Sequence, residues 1–431
     1  MRTVMKALGI ENGRLTLGGA DVCALAEEYG TPLYLLDEGT IRANCRELRA
    51  GLSESYAGDF SVTFASKALC FKGLYPILSE EKLCADVVSG GELHTALAGG
   101  FNPGDIYFHG NNKSREELEY ALRAGVRRIV VDNVTELQTL AKLAAERGVV
   151  PEIAVRVKPG IDAHTHDFIQ TGKIDSKFGV ALETGEVREF AKLAAELKSV
   201  KLVGLHCHIG SQIFETEPFK LAASVMLTLS GELLRGFGTE ITELNLGGGF
   251  GIQYLPAHDP VPLREAARMI GTSVTAAAKE LGLPLPSLVI EPGRSVSGSA
   301  GLTVYTVGSV KVIPGVNTYV AVDGGMTDNP RYALYGALYQ PILPARPEAE
   351  PTQRVIIAGR CCESGDIVTP ADIPPVKAGD LLAIQATGAY NYSMASHYNR
   401  LPNPPIVMVR DGEHRLAVRR ETYDDVMNND L

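Results

Sequence analysis

Eight short apolar segments, separated by longer helix-like stretches, constrain the fold of this 431-residue chain more than any other feature. Strands that alternate with helices predict a parallel sheet. Eight such units over roughly 250 residues match the size of a (β/α)8, TIM-like barrel. A doubly wound open sheet is the alternative, but eight units in unbroken succession favour closure. The segments are SVTFASKA from Ser61, LCADVVS from Leu83, DIYFHG from Asp105, RRIVVD from Arg127, EIAVRVKP from Glu152, KLVGLHCHIG from Lys201, TELNLGGGF from Thr242 and SLVIEPGRS from Ser287.

The sequence changes character after Ser295. Short β-branched segments such as LTVYTVGSVKVI, TYVAVDGG and DLLAIQATGAY, punctuated by Gly, Pro and Asn, predict an all-β domain there. The N-terminal stretch contains a further strand-like segment, TPLYLL, which we expect to pair with that domain. We therefore predict a barrel over residues 38–295 and a discontinuous β-domain formed by residues 1–37 and 296–431.

Charge and cysteine content limit the partners and the location of the protein. The formal charge of −10 argues against a nucleic-acid partner, because a phosphate-binding surface needs an excess of Lys and Arg. The seven Cys are scattered and form no C-x-x-C pair, so we expect neither a disulfide framework nor a zinc knuckle. The first residues, MRTVMKALGIENG, contain no apolar segment of signal-peptide length, and no segment of the chain is long enough to span a membrane. The sequence thus predicts a cytoplasmic protein without a membrane partner.

Polar residues occupy the carboxyl ends of nearly all eight predicted strands. Barrel strands are buried on both faces and should end apolar, and barrel active sites lie at the carboxyl ends of the strands. These positions therefore predict an active site. The residues are Lys67, Ser89, His109, Asp132, Arg156, His208, Gly247 to Gly249, and Glu291.

Lys67 and Glu291 each allow a structural and a functional interpretation. Lys67 could extend its ammonium to water, or it could be an amine of lowered pKa that condenses with an aldehyde. Glu291 is an expensive buried carboxylate unless it is paired with a cation. That cation is either Arg294 or the protonated nitrogen of a pyridine ring.

The glycine turn and the histidines give weaker signals. Gly247–Gly249 could be an ordinary turn or a backbone cradle for phosphate. His206 and His208 alternate along one strand, and His164 and His166 lie in a loop, but no third ligand at a supporting spacing indicates a metal site. We expect no metal. His208 is either a core histidine or a flat ring stacked on a flat cofactor.

The motifs, taken in order, resemble the diaminopimelate decarboxylase family, which belongs to the alanine-racemase-like, fold-type III group of pyridoxal-phosphate enzymes. The resemblance covers nearly the whole chain. It is most specific around His164 to Gly179 and around Cys361 to Asp366. The motifs are FASKA, DVVSGGEL, HGNNKS, HTHDFIQTGKIDSKFG, HCHIGSQ, GGGF, EPGRS, CCESGD and GAYNYSMAS.

The resemblance implies decarboxylation of meso-2,6-diaminopimelate to L-lysine with pyridoxal 5'-phosphate, in a homodimer with shared active sites. Lys67 would carry the cofactor, His208 would stack on its ring, and Cys362, supplied by the partner subunit, would donate a proton. The implied cofactor-binding residues are Lys67, His208, Ser211, Gly247, Gly248, Gly249, Glu291, Gly293, Arg294 and Tyr390. The implied substrate-binding residues are Arg294, Arg331, Tyr335, Glu363 and Tyr390.

Several functions compatible with this architecture stay open at this point. The nearest alternatives are decarboxylases of arginine, ornithine or carboxynorspermidine. The CCESGD segment resembles the decarboxylases' proton-donor loop and so argues against a racemase. A non-catalytic pyridoxal-phosphate-binding relative typically consists of the barrel alone. The predicted β-domain and the Cys362–Glu363 pair argue against that reading.

Overall fold

The protein is described by a computed structural model that covers residues 3–161 and 176–431. Its packing divides the chain into two compact units. The first comprises Met1–Ala43, Ile252–Asp259 and Val296–Leu431, and the second comprises Asn44–Gly251 and Pro260–Ser295.

The second unit contains a closed ring of eight parallel strands. The eighth strand pairs in parallel with the first, with Leu288 opposite Phe60, and this pairing completes the ring. The predicted barrel is therefore confirmed, and the open-sheet alternative is wrong. A short extra strand, Val180–Ala181, extends the fifth strand outside the ring. The eight strands are Phe60–Ala65, Cys84–Val87, Ile106–Phe108, Arg128–Val131, Glu152–Lys158, Lys201–His206, Glu243–Asn245 and Ser287–Ile290.

The helices between the strands begin and end at residues suited to those positions. Ser114 and Glu117 form a capping box, and Gly125 ends the same helix in the left-handed conformation. Within the described residues, none of the helices combines the length and the apolar character needed to cross a bilayer. The helices that precede or follow the strands are Glu38–Ser55, Tyr75–Glu80, Gly90–Ala98, Arg115–Ala124, Val134–Arg147, Glu186–Glu196, Glu217–Phe237, Leu263–Leu281 and Arg294–Ser297.

Ion pairs close the amino-terminal end of the barrel. Arg128, Glu152 and Glu243 each begin a strand. The buried guanidinium of Arg128 lies 2.9 Å from carboxylate oxygens of both Glu243 and Glu152. The hydroxyl of Tyr107 donates a further hydrogen bond to Glu243 at 3.1 Å. Charged groups satisfied in this way give stability to this end, and ligand chemistry is expected at the opposite, carboxyl end of the strands.

The first unit is built on two sheets. The N-terminal strand Leu33–Asp37 pairs antiparallel with Gly301–Ile313 and parallel with Ile406–Arg410, which confirms that the N-terminal segment joins the C-terminal β-domain. The unit also holds the helices Val22–Tyr29, Arg331–Tyr335 and Tyr423–Met427, so it is not purely β. The remaining strands are Leu8–Glu11, Arg14–Leu17, Ala20–Asp21, Asn317–Val322, Pro341–Ile342, Gln353–Ala358, Ile367–Ile373, Leu381–Gln385 and Glu413–Val418.

Candidate active site

Lys67 and Glu291 follow neighbouring strands of the barrel at their carboxyl ends. The first and eighth strands pair in parallel, and the Ala65 N–H donates to the carbonyl oxygen of Pro292 at 3.0 Å. The side chain of Lys67 is exposed, whereas that of Glu291 is buried. The imidazole of His208 senses the charges of both. Burial holds its pKa well below the usual range, the charge of Lys67 lowers it further, and Glu291 opposes the shift.

The Glu291 carboxylate accepts three hydrogen bonds from side chains at other strand ends. His109 Nε2 donates to Oε1 at 2.7 Å, Asn245 Nδ2 donates to Oε1 at 2.6 Å, and His206 Nε2 donates to Oε2 at 3.1 Å. The two histidine rings meet edge to face, with centroids 4.7 Å apart. This arrangement fixes the carboxylate in the middle of the barrel mouth and leaves Oε2 with capacity for a further donor.

Burial and the Glu291 carboxylate determine the protonation states of the residues in this cluster. Burial alone would raise the pKa of Glu291, but the charge of His109 and the hydrogen bonds from both rings hold it well below its usual range. Burial would lower the pKa of His109, but the charges of Glu291 and Asp86 raise it overall. Burial lowers the pKa of His206 to about 4. At neutral pH the cluster therefore holds an ionised Glu291 and a neutral His206.

His109, His206 and Glu291 are residue types that can also bind a metal ion. One ligand atom each from His109, His206 and Glu291 lies within 4.8 Å of the others. The sequence analysis missed this group because it found no third ligand for the histidines. However, the contacts of 2.7 and 3.1 Å are hydrogen-bond distances. Two ligands on one tetrahedral zinc ion at about 2.1 Å would be separated by about 3.4 Å. We therefore assign the group as a hydrogen-bonded cluster.

The glycine turn after the seventh strand has no room for side chains. Gly247 and Gly249 have positive φ angles of 68° and 111°, and a Cβ atom at Gly248 would lie 1.9 Å from the carbonyl oxygen of Glu291. The Gly248 N–H donates to Nδ1 of His208 at 3.3 Å. This hydrogen bond requires Nδ1 to be unprotonated, in agreement with the lowered pKa of His208. The turn thus packs closely against neighbouring backbone, and it orients the histidine ring.

Gly293, Arg294 and Ser211 complete the barrel residues predicted for cofactor binding. Nη2 of the buried Arg294 donates to Oγ of Ser211 at 2.9 Å. A Cβ atom at Gly293 would lie 2.9 Å from that of Ala68, the residue after Lys67. Glycine at this position therefore allows the chain after Glu291 to approach the lysine segment closely.

Asp86 is a site residue that the sequence analysis missed. It lies on the second strand opposite Ala65, and its Oδ1 atom is buried without a hydrogen-bond partner among the described residues. Burial raises its pKa, and the charge of His109 opposes the shift. The strand-end position instead pointed to Ser89, but Ser89 caps the following helix by accepting the Glu92 N–H at 3.2 Å. The available signal was an acidic residue inside an otherwise apolar strand.

Two other predicted strand-end residues contact Phe178 and Gly179. Asp132 accepts the N–H of Gly179 at 3.0 Å, and the guanidinium of Arg156 lies 4.1 Å from the ring centroid of Phe178. His164 and His166 lie outside the described residues, as does most of the motif that contains them.

The predicted substrate residues Arg331, Tyr335 and Tyr390 lie together in the first unit. The buried guanidinium of Arg331 lies 5.5 Å from the ring centroid of Tyr335, 5.7 Å from that of Tyr390 and 5.8 Å from that of Tyr254. Its Nε has no hydrogen-bond partner among the described residues. A buried cation surrounded by aromatic rings is suited to bind a carboxylate. The sequence analysis missed Tyr254, which no local pattern distinguishes.

Cys362 and Glu363 are exposed on the same unit. The Cys362 N–H donates to Oδ1 of Asn399 at 2.7 Å, and the Tyr398 hydroxyl donates to the Cys362 carbonyl oxygen at 3.3 Å. The adjacent Cys361 differs, because burial and the charge of Asp366 raise the pKa of its thiol to about 11. The two neighbouring thiols therefore have different environments, and Cys362 is the accessible one.

Comparisons with known proteins all indicate the same protein family. The family described as pyridoxal-dependent decarboxylase, pyridoxal binding domain, matches residues 38–298. The chain is 46% identical to diaminopimelate decarboxylase from Bacillus subtilis, over 98% of this chain and 96% of that protein. The crystal structure of the M. jannaschii diaminopimelate decarboxylase in complex with L-lysine is 34% identical, with a TM-score of 0.92, over 99% of this chain and 98% of that one. Lysine/ornithine decarboxylase from Vibrio vulnificus, 22% identical with a TM-score of 0.76, shares the fold.

Proposed function

The chain belongs to the diaminopimelate decarboxylases within the pyridoxal-dependent decarboxylase family, and we propose that it converts meso-2,6-diaminopimelate to L-lysine and CO2. This reaction is the last step of lysine biosynthesis. The main structural support for this proposal is the position of two charged groups. The amine of Lys67 and the ionised carboxylate of Glu291 follow neighbouring strands at one end of the barrel, and both act on the ring of His208.

The residues at the barrel mouth fit pyridoxal phosphate. Lys67 offers the amine that holds its aldehyde, and Oε2 of Glu291 can accept one more hydrogen bond, as from a ring N–H. The turn Gly247–Gly249, which carries no side chains, and the Ser211 hydroxyl suit its phosphate. When bound, the cofactor supplies an aldehyde that captures the substrate amine and a protonated ring that withdraws electrons from the bond to be broken.

The roles of the protein groups in the reaction follow from their charges. Lys67 would be the group that holds the cofactor's aldehyde between turnovers, when no substrate amine occupies it. Glu291 stays ionised and so keeps a proton on the ring nitrogen. Neutral His208 would offer a flat, uncharged ring for contact with the cofactor. When the Cα–carboxylate bond breaks and CO2 leaves, the electron pair of that bond would stay with Cα, and the thiol of Cys362 would supply the proton that takes the place of the carboxylate.

Specificity for diaminopimelate requires both signs of charge at the distal end of the substrate. Ornithine and lysine offer only an ammonium there, whereas diaminopimelate carries an ammonium and a second carboxylate. Glu363 suits the ammonium, and the guanidinium groups of Arg331 and Arg294 suit the carboxylate, because an arginine can bind it through two parallel hydrogen bonds. Tyr335 packs beside Arg331 and would complete this pocket.

The exposure of Cys362 and Glu363 supports action in the site of a partner subunit. We therefore infer a homodimer with shared active sites, in which the loop of one subunit completes the barrel site of the other. An odd number of scattered cysteines further supports a reducing, cytoplasmic location.

Release of CO2 from meso-diaminopimelate by the purified protein with added pyridoxal phosphate tests this function. We expect turnover of diaminopimelate to exceed that of ornithine, arginine and carboxynorspermidine by about 100-fold or more in kcat/KM, since a missing charged partner in a buried site costs several kcal/mol. Faster turnover of one of those amino acids would assign the chain to the corresponding decarboxylase. Cofactor binding without CO2 release from any of them would indicate a non-catalytic relative.

A further inference from the structure

Asp366 is a buried carboxylate held by backbone groups from two separate segments of the first unit. It is 3% exposed. Its Oδ1 accepts the Met326 N–H at 2.6 Å, and its Oδ2 accepts the Cys361 N–H at 2.6 Å. Hydrogen bonds from N–H groups to an ionised carboxylate are short and about twice as strong as neutral ones. The carboxylate therefore joins the two segments through both of its oxygens.

Two glycines make room for this carboxylate. A Cβ atom at Gly325 would lie 2.5 Å from Oδ1 of Asp366, and a Cβ atom at Gly359 would lie 2.2 Å from Oδ2. Neither distance is compatible with a side chain. The backbone thus encloses the Asp366 side chain closely on both sides, and a longer or displaced carboxylate would not fit without backbone movement.

The two joined segments carry the groups proposed to act on the substrate. Cys361 immediately precedes Cys362 and Glu363. Met326 belongs to the segment that leads to the helix Arg331–Tyr335. A backbone hydrogen bond from Arg360 to the Gly324 carbonyl oxygen at 3.0 Å runs beside the carboxylate.

We propose that Asp366 is a positioning residue for the decarboxylation, which fixes the Cys362–Glu363 loop relative to the segment carrying Arg331. This inference rests on the proposed function, because it takes the roles of Cys362 and Arg331 from it. The environment of Cys361 agrees with this role of Asp366. Burial and the charge of Asp366 keep the Cys361 thiol protonated, so Asp366 also holds the inner cysteine in an unreactive state beside the exposed one.

Asp366→Asn tests the proposal with little change in volume. One carboxylate oxygen becomes an NH2 group, which would face a backbone N–H and cannot accept its hydrogen bond. We expect kcat for diaminopimelate to fall about 10- to 100-fold in the cofactor-loaded enzyme, because small displacements of a reacting group are costly. The visible absorption of the bound cofactor should not change. The matched control is Asp372→Asn, an exposed carboxylate of the same unit paired with Arg354 at 3.4 Å, which should keep wild-type kcat.

A double-mutant cycle separates positioning from general stability. If Asp366 acts through the loop, Cys362→Ala/Asp366→Asn should be as slow as Cys362→Ala to within about twofold, because groups that act as a unit are not additive. Additive losses, or wild-type kinetics for Asp366→Asn, would overturn the proposal. If Asp366→Asn does not fold, Gly359→Ala displaces the carboxylate while keeping its charge, and it should show the same loss of kcat. Failure of both variants to fold would assign Asp366 to stability alone. A wild-type enzyme inactive on diaminopimelate would instead refute the proposed function.

Discussion

Two lysines near the carboxyl ends of the barrel strands differ in ways that separate a structural amine from a reactive one. Lys113 is buried, lies 2.7 Å from Glu136, and donates to the carbonyl oxygens of Gly110 and Val130. Its charge is neutralised and its three donors are used. Lys67, by contrast, projects from a short 3-10 turn with its side chain exposed. An accessible amine at the site is free to exchange partners with a substrate amine.

Lys67→Ala should abolish the visible absorption that the cofactor shows when it is held by the protein, together with nearly all CO2 release. The reason is that the amine of Lys67 is the group proposed to hold the aldehyde between turnovers. Absorption spectroscopy of the reconstituted variant and a turnover assay measure the two effects. Lys142→Ala, on an exposed face of the helix Val134–Arg147, is the control and should behave as wild type. Wild-type turnover by the Lys67 variant would remove this residue from the mechanism.

Arg331→Ala should raise KM for diaminopimelate by one or more orders of magnitude, each worth about 1.4 kcal/mol. The substitution removes the buried cation from among its three tyrosines and with it the partner of the substrate carboxylate. Arg354→Ala, which removes an exposed arginine from the same unit, should leave KM unchanged. Steady-state kinetics on both variants decide the matter, and an unaltered KM for Arg331→Ala would place the carboxylate elsewhere.

Residues whose importance depends on position along a strand could be predicted from the sequence, and those that depend on long-range contacts could not. Lys67 and Glu291 stand out because a polar group at the end of a buried strand needs an explanation. Asn245 ends the seventh strand and carries the same signal, but nothing in the sequence shows which group it contacts, and Tyr254 carries no such signal. The first becomes significant only through its 2.6 Å hydrogen bond to Glu291, and the second only through its ring beside Arg331.

The strands themselves were predictable, but their ends were not. The sequence predicts a strand through KLVGLHCHIG, whereas the structure ends it at His206. His208 therefore lies beyond the ladder, where it accepts the Gly248 N–H. The seventh strand likewise stops at Asn245, because Gly247 adopts a positive φ of 68°. In both places the chain leaves the regular strand pairing and forms a turn that orients residues of the site.

The cluster around Glu291 links the third, sixth, seventh and eighth strands, and its titration should be visible in stability. The folded-state pKa of His109 is raised, so its favourable contribution is complete below the unfolded pKa of about 6.5 and is lost as pH rises through the folded value. The difference in the free energy of unfolding between the wild-type protein and His109→Asn should therefore be largest at about pH 5.5 to 6.5, in favour of the wild type. The difference should narrow at higher pH.

Denaturant unfolding of the cofactor-free protein between about pH 5.5 and pH 9 measures this difference. His94→Asn, at an exposed histidine of the helix Gly90–Ala98, is the matched control for the loss of one histidine. A difference that is constant or grows with pH would contradict the ionised Glu291–His109 pair.

At the scale of the whole chain, the sequence order does not map simply onto the compact units. Ile252–Asp259 follows the glycine turn of the barrel, yet it packs in the first unit. Ile252 and Tyr254 belong to the hydrophobic core of that unit, together with residues such as Leu302 and Tyr339. Local composition gives no indication of this exchange, because it results from packing between segments far apart in sequence. The predicted division into a barrel over residues 38–295 and a β-domain formed by residues 1–37 and 296–431 stays a proposal.

Sharing of active sites between subunits can be tested by mixing two inactive variants. Lys67→Ala and Cys362→Ala each damage every site of their own dimer. After subunit exchange, half of the dimers combine one subunit of each kind, and one of their two sites then contains both an intact Lys67 and an intact Cys362. Activity should therefore recover to about a quarter of the wild-type value for a twofold-symmetric dimer. Each variant alone, taken through the same exchange, is the control. If the mixture stays at the level of the separate variants although heterodimers have formed, Cys362 acts within its own subunit and the shared-site arrangement is wrong.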